Sequence, residues 1–275
     1  MRKLLFILNF TLLPEMIRKN RSLLWQLFIR DIASRYRGSM LGLLWSFIQP
    51  LLMLCVYSFV FSIVFKARWG IDTAGNRGAF SIIMFCGMAL YTVFAESISM
   101  NCGIIVSNSN FVKKVIFPLE ILPLAQTSAS FFLGLVWFVL LFLGVVFVFG
   151  KLSFTMFLLP LILAELFLFT LGISYFVASL GVYIRDTPYV VGVVLQILFF
   201  MTPIFYPIAA VPERYRWPLQ INPLTTMIEE TRKIFLYGQL PDWKFLGISF
   251  LISLIVCQLG VAWFSKTKKG FSDVL

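Results

Sequence analysis

The sequence predicts an all-α polytopic membrane protein: six transmembrane helices, an N-terminal amphipathic interfacial helix, and short external or re-entrant helices between spans five and six. Three observations carry that expectation. Of 275 residues, 60% are hydrophobic and 13% charged, whereas a soluble domain holds about 25% charged residues. The apolar residues fall in runs long enough to cross a bilayer, for which roughly 20 residues suffice. The net charge of +11 comes from Lys and Arg at the ends of those runs. There they set topology and meet anionic lipid, so the basic excess points to a membrane and not to nucleic acid.

Taken in order, the chain opens on Arg2-Lys3 and LLFILNFTLL, which imitates a signal peptide. Pro14-Glu15 follows without a small-residue cleavage site, and the run is too short to span, so an uncleaved cytoplasmic arm is expected. Over 22–37, Trp25, Phe28, Ile29, Ile32 and Tyr36 recur at helical spacing, while Gln26, Arg30, Ser34 and Arg37 fall opposite. That is the pattern of a helix lying in the membrane interface. The chain then bends at Gly38-Ser39 and enters a run without charge.

The expected spans are 40–65, 79–100, 121–149, 154–184, 189–205 and 245–264. Between the second and third, Ser107-Asn108-Ser109-Asn110 offers N-cap chemistry and Pro118 stops a helix, so a helix of about two turns is expected within 105–117. Gly150 and Arg185-Asp186-Thr187-Pro188 mark tight turns. Pro203, Pro207 and Pro212 break the backbone after the fifth span, and broken backbone at membrane depth requires protein or water around it. Asn222 then fits an N-cap, Pro223 the first helical position and Gly238 a stop, with Glu229 and Lys233 spaced as a solvent-side pair. The region 207–240 reads as external. With the N-terminus inside, fourteen of the 23 Lys and Arg fall on the cytoplasmic side, which predicts both termini in the cytoplasm. No linker or internal repeat occurs, so 1–275 is one domain.

Of the four cysteines, Cys55, Cys86 and Cys257 lie inside apolar runs and Cys102 just past one, without a CxxC pair and without any His. A disulfide framework or a thiolate–imidazole zinc site is not expected. No GxxxxGK[ST] phosphate loop occurs either, so ATP hydrolysis, where needed, belongs to another chain.

Three segments together resemble one family. Arg35, Tyr36, Arg37, Gly38, Ser39, Leu41, Gly42, Leu44 and Trp45, followed by Gln49-Pro50-Leu51-Leu52, are similar to the opening R-Y-R-G-S-x-L-G-x-L-W…N/Q-P-L-L of ABC-2-type polysaccharide exporter membrane subunits. Arg185, Asp186, Tyr189, Gln196, Phe199, Phe200, Pro203, Phe205, Tyr206 and Pro207 match a second motif, and Asn222 to Thr225 a third. The O-antigen and teichoic-acid branches look alike at this level. The resemblance implies a homodimer joined to two copies of an ABC ATP-binding subunit, in the bacterial cytoplasmic (inner) membrane. The assembly would export a polyprenyl-diphosphate-linked polysaccharide. This chain would be a permease and not an enzyme, without a cofactor of its own, ATP and Mg being held by the partner subunit.

Candidate residues follow, each with a plainer reading beside it. Asn108, Phe111, Lys113 and Lys114 resemble a coupling helix, an apolar knob with cationic flanks for an ATPase groove; the same charges suit any cytoplasmic loop. Arg30, Arg35, Tyr36 and Arg37 are candidates for a cytoplasmic gate near the substrate diphosphate, since Arg binds phosphate through two parallel bonds. The same helix would serve equally to hold anionic lipid. Trp45, Tyr57, Phe199, Phe200 and Tyr206 could line a glycan path by ring stacking, although aromatic residues also face lipid or fill helix interfaces. Pro203, Pro207, Asn222 and Glu229 mark an external gate, or a helix that merely caps the bundle. Glu96 and Glu165 are expensive in lipid and are expected against protein or water. Alternatives to glycan export are an ABC-2 exporter of a lipid or small drug, a proton-coupled secondary carrier using those two carboxylates, and a membrane scaffold.

Overall fold

The computed structural model describes residues 12–64, 77–113, 117–150 and 152–275, which form helices and the turns between them. Residues 1–11, where an N-terminal arm was expected, and residues 65–76, 114–116 and 151 lie outside the described residues.

Helix α1 spans Leu12–Lys19 and α2 Arg21–Arg35. The expected apolar stripe of α2 is divided between two surroundings. Leu27 and Asp31 are buried against the bundle, while Trp25 and Ile29 remain exposed. An interfacial helix has apolar neighbours on two sides, lipid and protein, so the period of three to four cannot say which residues meet which. The bend falls where expected. Ser39 N–H donates to the Tyr36 carbonyl at 3.1 Å, and Gly38 takes φ +87°, a left-handed conformation open to a residue without Cβ.

A 3-10 turn, Gly42–Leu44, leads into α3, Trp45–Tyr57, which continues as a π-helical stretch, Ser58–Val64. This first span lies on the outside of the bundle with most side chains exposed. Helix α4, Arg77–Asn101, is the central post: Met84, Phe85, Cys86, Ala89, Leu90 and Val93 are fully enclosed. Next come two single turns, α5 (Ile104–Ser107) and α6 (Ser109–Val112), where one helix of two turns was expected. The break falls at Asn108. Its side chain does not cap α6 but donates back to the Ile104 carbonyl at 2.8 Å.

Helix α7 runs Ile121–Phe149, the expected bounds. A 3-10 turn, Phe154–Leu158, opens α8, Leu159–Tyr183. Helix α9, Thr187–Met201, has 15 residues, about 22 Å at 1.5 Å per residue against a hydrocarbon core of about 30 Å. The fifth run is therefore shorter than the expected 189–205 span, because Thr202 turns extended ahead of Pro203. Among the described residues, five helices are long and apolar enough to cross a membrane and α9 is the shorter sixth.

Beyond α9 the chain makes two 3-10 turns, α10 (Arg216–Ile221) and α11 (Pro223–Arg232), the last extended by a π-helical turn, Lys233–Tyr237. Asn222 is the cap of α11, its Oδ1 accepting from Leu224 N–H at 3.1 Å, and Gly238 ends the segment at φ +63°. Helix α12, Trp243–Thr267, is capped by Asp242 and followed by α13, Phe271–Val274. Helices α8 and α12 pack along much of their length. At their crossing, Gly172 and Gly260 are so close that a Cβ on either would strike the other helix's backbone.

The helices define two ends. At one, Lys268 pairs with Glu120, the Tyr183 hydroxyl donates to the Thr267 carbonyl at 2.7 Å, and α2 lies across α7. At the other, Thr155 Oγ1 donates to the Ile234 carbonyl at 2.6 Å.

Candidate functional site

The α2 end gathers residues that the sequence left separate. Arg30 Nη1 donates to Asn108 Oδ1 at 3.1 Å, while its Nε and Nη2 reach Asp31 Oδ1 at 2.9 and 2.8 Å. One guanidinium therefore ties α2 to the α5–α6 junction. Burial pushes the Asp31 carboxyl above its ordinary 3.8, and the neighbouring Arg30 draws it partly back. Arg35 does not face solvent as a free cation. It pairs with Glu96 of α4, its Nη1 donates to Ser130 Oγ of α7 at 3.3 Å, and its side chain is 8% exposed. Burial lowers its pKa, yet an arginine keeps its proton. Tyr36 is half-buried at the end of α2, and Arg37 is exposed beside it. Phe111 stacks on Phe117 at 4.3 Å and packs against the chain's own core. Lys113 is exposed, and Lys114 lies outside the described residues.

Toward the α2 end of the bundle, where Arg35 meets Glu96, a cavity of about 370 Å³ opens between α3, α4 and α9. Gln49 of α3, Thr92, Glu96 and Ser99 of α4, and Gln196 of α9 face it. Among the described residues, the side chains of Gln49, Thr92, Ser99 and Gln196 make no hydrogen bond to protein. Tyr91 and Phe199 add an aromatic wall with ring centroids 5.1 Å apart. The Tyr91 hydroxyl is committed to the Leu195 carbonyl, so that residue presents its ring. A second groove, of about 740 Å³ beside Phe138, Phe154 and Phe157, is apolar and suits lipid chains. Glu165, by contrast, is sealed inside the bundle and accepts from the Ser249 hydroxyl.

From the cavity, rings continue toward the opposite end. Phe199 lies 5.1 Å from Phe205, which stacks on Phe61 at 5.3 Å and meets Tyr57 at 5.9 Å. Phe200 flanks this ladder, exposed, and the Tyr206 hydroxyl donates to the Phe200 carbonyl at 3.0 Å. Four of the five expected aromatic residues thus cluster. Trp45 stands apart at the start of α3. Phe205, which belongs to the second motif, joins the group, and Phe61 and Tyr91 complete it without being singled out in the sequence, where nothing but their aromatic character marks them.

At the opposite end, α11 is not a surface helix. Leu224, Thr225, Met227, Ile228, Thr231 and Arg232 are buried against α4, α8 and α12. The expected Glu229–Lys233 solvent pair is replaced by Glu229–Arg232 and Glu230–Lys233, both at 2.7 Å. The register changes because Arg232 turns inward and, 1% exposed, donates from Nη2 to the Ile204 carbonyl at 3.0 Å. It thereby clamps α11 to the broken segment after Pro203, itself buried, and Asn222 Nδ2 adds a 3.3 Å bond to Thr202 Oγ1. Pro207 is half-buried beyond that break.

Comparisons with known proteins place this geometry. The ABC-2 type transporter family model matches residues 22–236. An O-antigen export system permease protein RfbA of Klebsiella pneumoniae is 29% identical over 248 residues, covering 90% of this chain and 92% of the relative. One of Myxococcus xanthus is 28% identical over 259 residues, covering 92% and 95%. The polysialic acid transport protein KpsM of Escherichia coli is 23% identical over 246 residues, covering 89% and 93%.

Proposed function

The chain belongs to the ABC-2 type transporter family, and from that premise we propose that it is the path-forming permease subunit of an ATP-driven exporter of a lipid-linked, O-antigen-like polysaccharide. The observation that carries the reading is the nearly full-length similarity to relatives whose names describe glycan export or transport. Two copies of this chain work with two ATP-binding subunits in the cytoplasmic membrane, both termini on the cytoplasmic side. ATP and Mg²⁺ are held by that partner.

The polar contacts supply a route for motion. The partner pushes on the α5–α6 turns and the segment up to Phe117, where Lys113 remains exposed. Asn108 passes the displacement through Arg30 to α2, and Arg35 passes it through Glu96 to α4, the wall of the polar cavity. The aromatic ladder from Tyr91 to Phe61 offers ring faces beyond the cavity, and α11 with the Pro203 break forms the exit gate.

Deleting the gene in its host and fractionating the cells tests this. Loss of surface glycan with accumulation of lipid-linked glycan at the inner face is expected. Unchanged surface glycan without accumulation would end the polysaccharide reading and leave export of a lipid or small molecule.

A further inference from the structure

We propose that the cavity formed by Gln49, Thr92, Glu96, Ser99 and Gln196 binds an uncharged sugar segment of the exported polymer, and not its diphosphate. The proposal rests on the export reading above and adds a ligand chemistry to one site.

The argument begins with depth. Gln49 and Gln196 lie on α3 and α9, helices whose other outward residues are apolar: Leu51, Leu52, Val193 and Ile197 are all exposed. An amide without a partner is costly against hydrocarbon, and polar groups at membrane depth face protein or water-filled space. Side chains from three separate helices converge on the same opening, so the polar surface is a built wall and not a single misplaced residue. At about 370 Å³ it falls at the small end of ligand sites, roughly 300–1,000 Å³.

The chemistry of the wall then selects the occupant. A diphosphate needs cations or a nest of N–H donors. The carboxylate that lines the cavity, Glu96, is already neutralised by Arg35, and Arg30 is spent on Asp31 and Asn108. The groups left over are two amides and two hydroxyls, each donor and acceptor at once, which match sugar hydroxyls of the same dual character. Tyr91 and Phe199 complete the fit by offering apolar ring surface to the C–H face of a pyranose.

The test uses the full transporter with its ATP-binding partner in lipid nanodiscs, and two probes measured by calorimetry. One is the neutral oligosaccharide released by mild acid from the host's own surface polymer. The other is polyprenyl diphosphate carrying no sugar. In the double variant Gln49→Leu/Gln196→Leu, oligosaccharide binding should weaken about tenfold or more, as loss of several neutral hydrogen bonds implies, while binding of the sugar-free lipid stays unchanged. Both substitutions sit on exposed positions, so assembly should survive, and co-elution with the partner checks it. If it does not, Gln196→Asn keeps the amide but shortens its reach and should weaken the oligosaccharide alone. Unchanged oligosaccharide affinity, or loss of the diphosphate lipid instead, would overturn the site. A wild-type complex that ignores both probes would overturn the export reading as well.

Discussion

Arg232 shows how one side chain can fix a broken backbone. Its Nη1 meets Glu229 at 2.7 Å, and Nε and Nη2 reach the carbonyls of Ile83 and Ile204 at 3.4 and 3.0 Å. The Ile204 carbonyl lies just past Pro203, where no helix supplies a donor. Breaking a buried pair costs about 3–5 kcal/mol, and the low end applies because Glu229 keeps a third of its side chain exposed. Arg232→Met should therefore lower the melting temperature in detergent by roughly 6–12 °C, at about 2–4 °C per kcal/mol. Arg232→Lys should fall between the two, since an ammonium lacks the planar fork; a Met variant as stable as the parent would refute the clamp. Asp31 works in the other direction. Its folded-state pKa is raised above 3.8, mainly by burial, so the folded chain holds the proton more tightly than the unfolded chain. Its contribution is most favourable below pH 3.8 and is lost as pH rises through the raised value. Asp31→Asn removes that dependence while keeping an acceptor for Arg30. The melting temperature of the variant relative to the parent should climb as pH rises from 3.8 through the raised value, and a pH-independent difference would show that Asp31 does not titrate there.

The α8–α12 pair depends on small residues, not on apolar bulk. A Cβ on Gly172 would come within 2.5 Å of the Val256 carbonyl oxygen, and one on Gly260 within 2.1 Å of the Gly172 carbonyl oxygen. In lipid such close approach replaces the hydrophobic drive for association. Gly260→Leu should pry the helices apart and sharply reduce recovery of monodisperse protein, whereas Leu259→Ala, one position along on an exposed face, should leave it intact; equal recovery of both would refute the tight crossing. The contrast also shows what could be read ahead. Helix α7 was found at 121–149 because a long, mostly apolar run without charge ends at Gly150, a signal carried by consecutive residues. The α8–α12 crossing, the inward turn of Arg232 and the burial of Asp31 depend on which helices meet, and no local period encodes that. The α5–α6 break at Asn108 was missed because the cluster Ser107 to Asn110 reads equally well as a cap, and the far partner Arg30 decides the matter. In the candidate site, Phe199 was legible beside the prolines, whereas Gln49 and Gln196 stood in two separate motifs and were joined in one site only when three helices brought them to one opening.

The distribution of charge and of polar surface over the molecule sets its orientation. Basic residues concentrate at the end that carries α2, the α5–α6 turns and the C-terminal helix, with Lys266, Lys268 and Lys269 following the last span, and the proposed orientation, with that end in the cytoplasm, is the one the positive-inside rule predicts. Helix α9, although short, still joins the two ends: α8 and α12 meet at Thr267, whereas Thr202 lies beside Asn222. Among the described residues, five long apolar helices and the shorter α9 therefore run between the two ends, as six alternating passages would require. Cysteine labelling in right-side-out and inverted vesicles reads this directly, because Cys86, Cys102 and Cys257 are buried and Cys55 is the exposed native thiol to remove first. In a Cys55→Ala background, Gln239→Cys should react with a membrane-impermeant maleimide in right-side-out vesicles, and Ser272→Cys in inverted ones. Reaction of both from one side would mean that α12, the helix between them, does not cross. The reverse pattern would mean either that α9 does not cross or, with α9 crossing, that the α5–α6 turns lie outside, beyond the reach of any ATP-binding partner. In that inverted orientation the route from Asn108 through Arg30 to the polar cavity could not be driven by ATP, so this labelling precedes every transport assay.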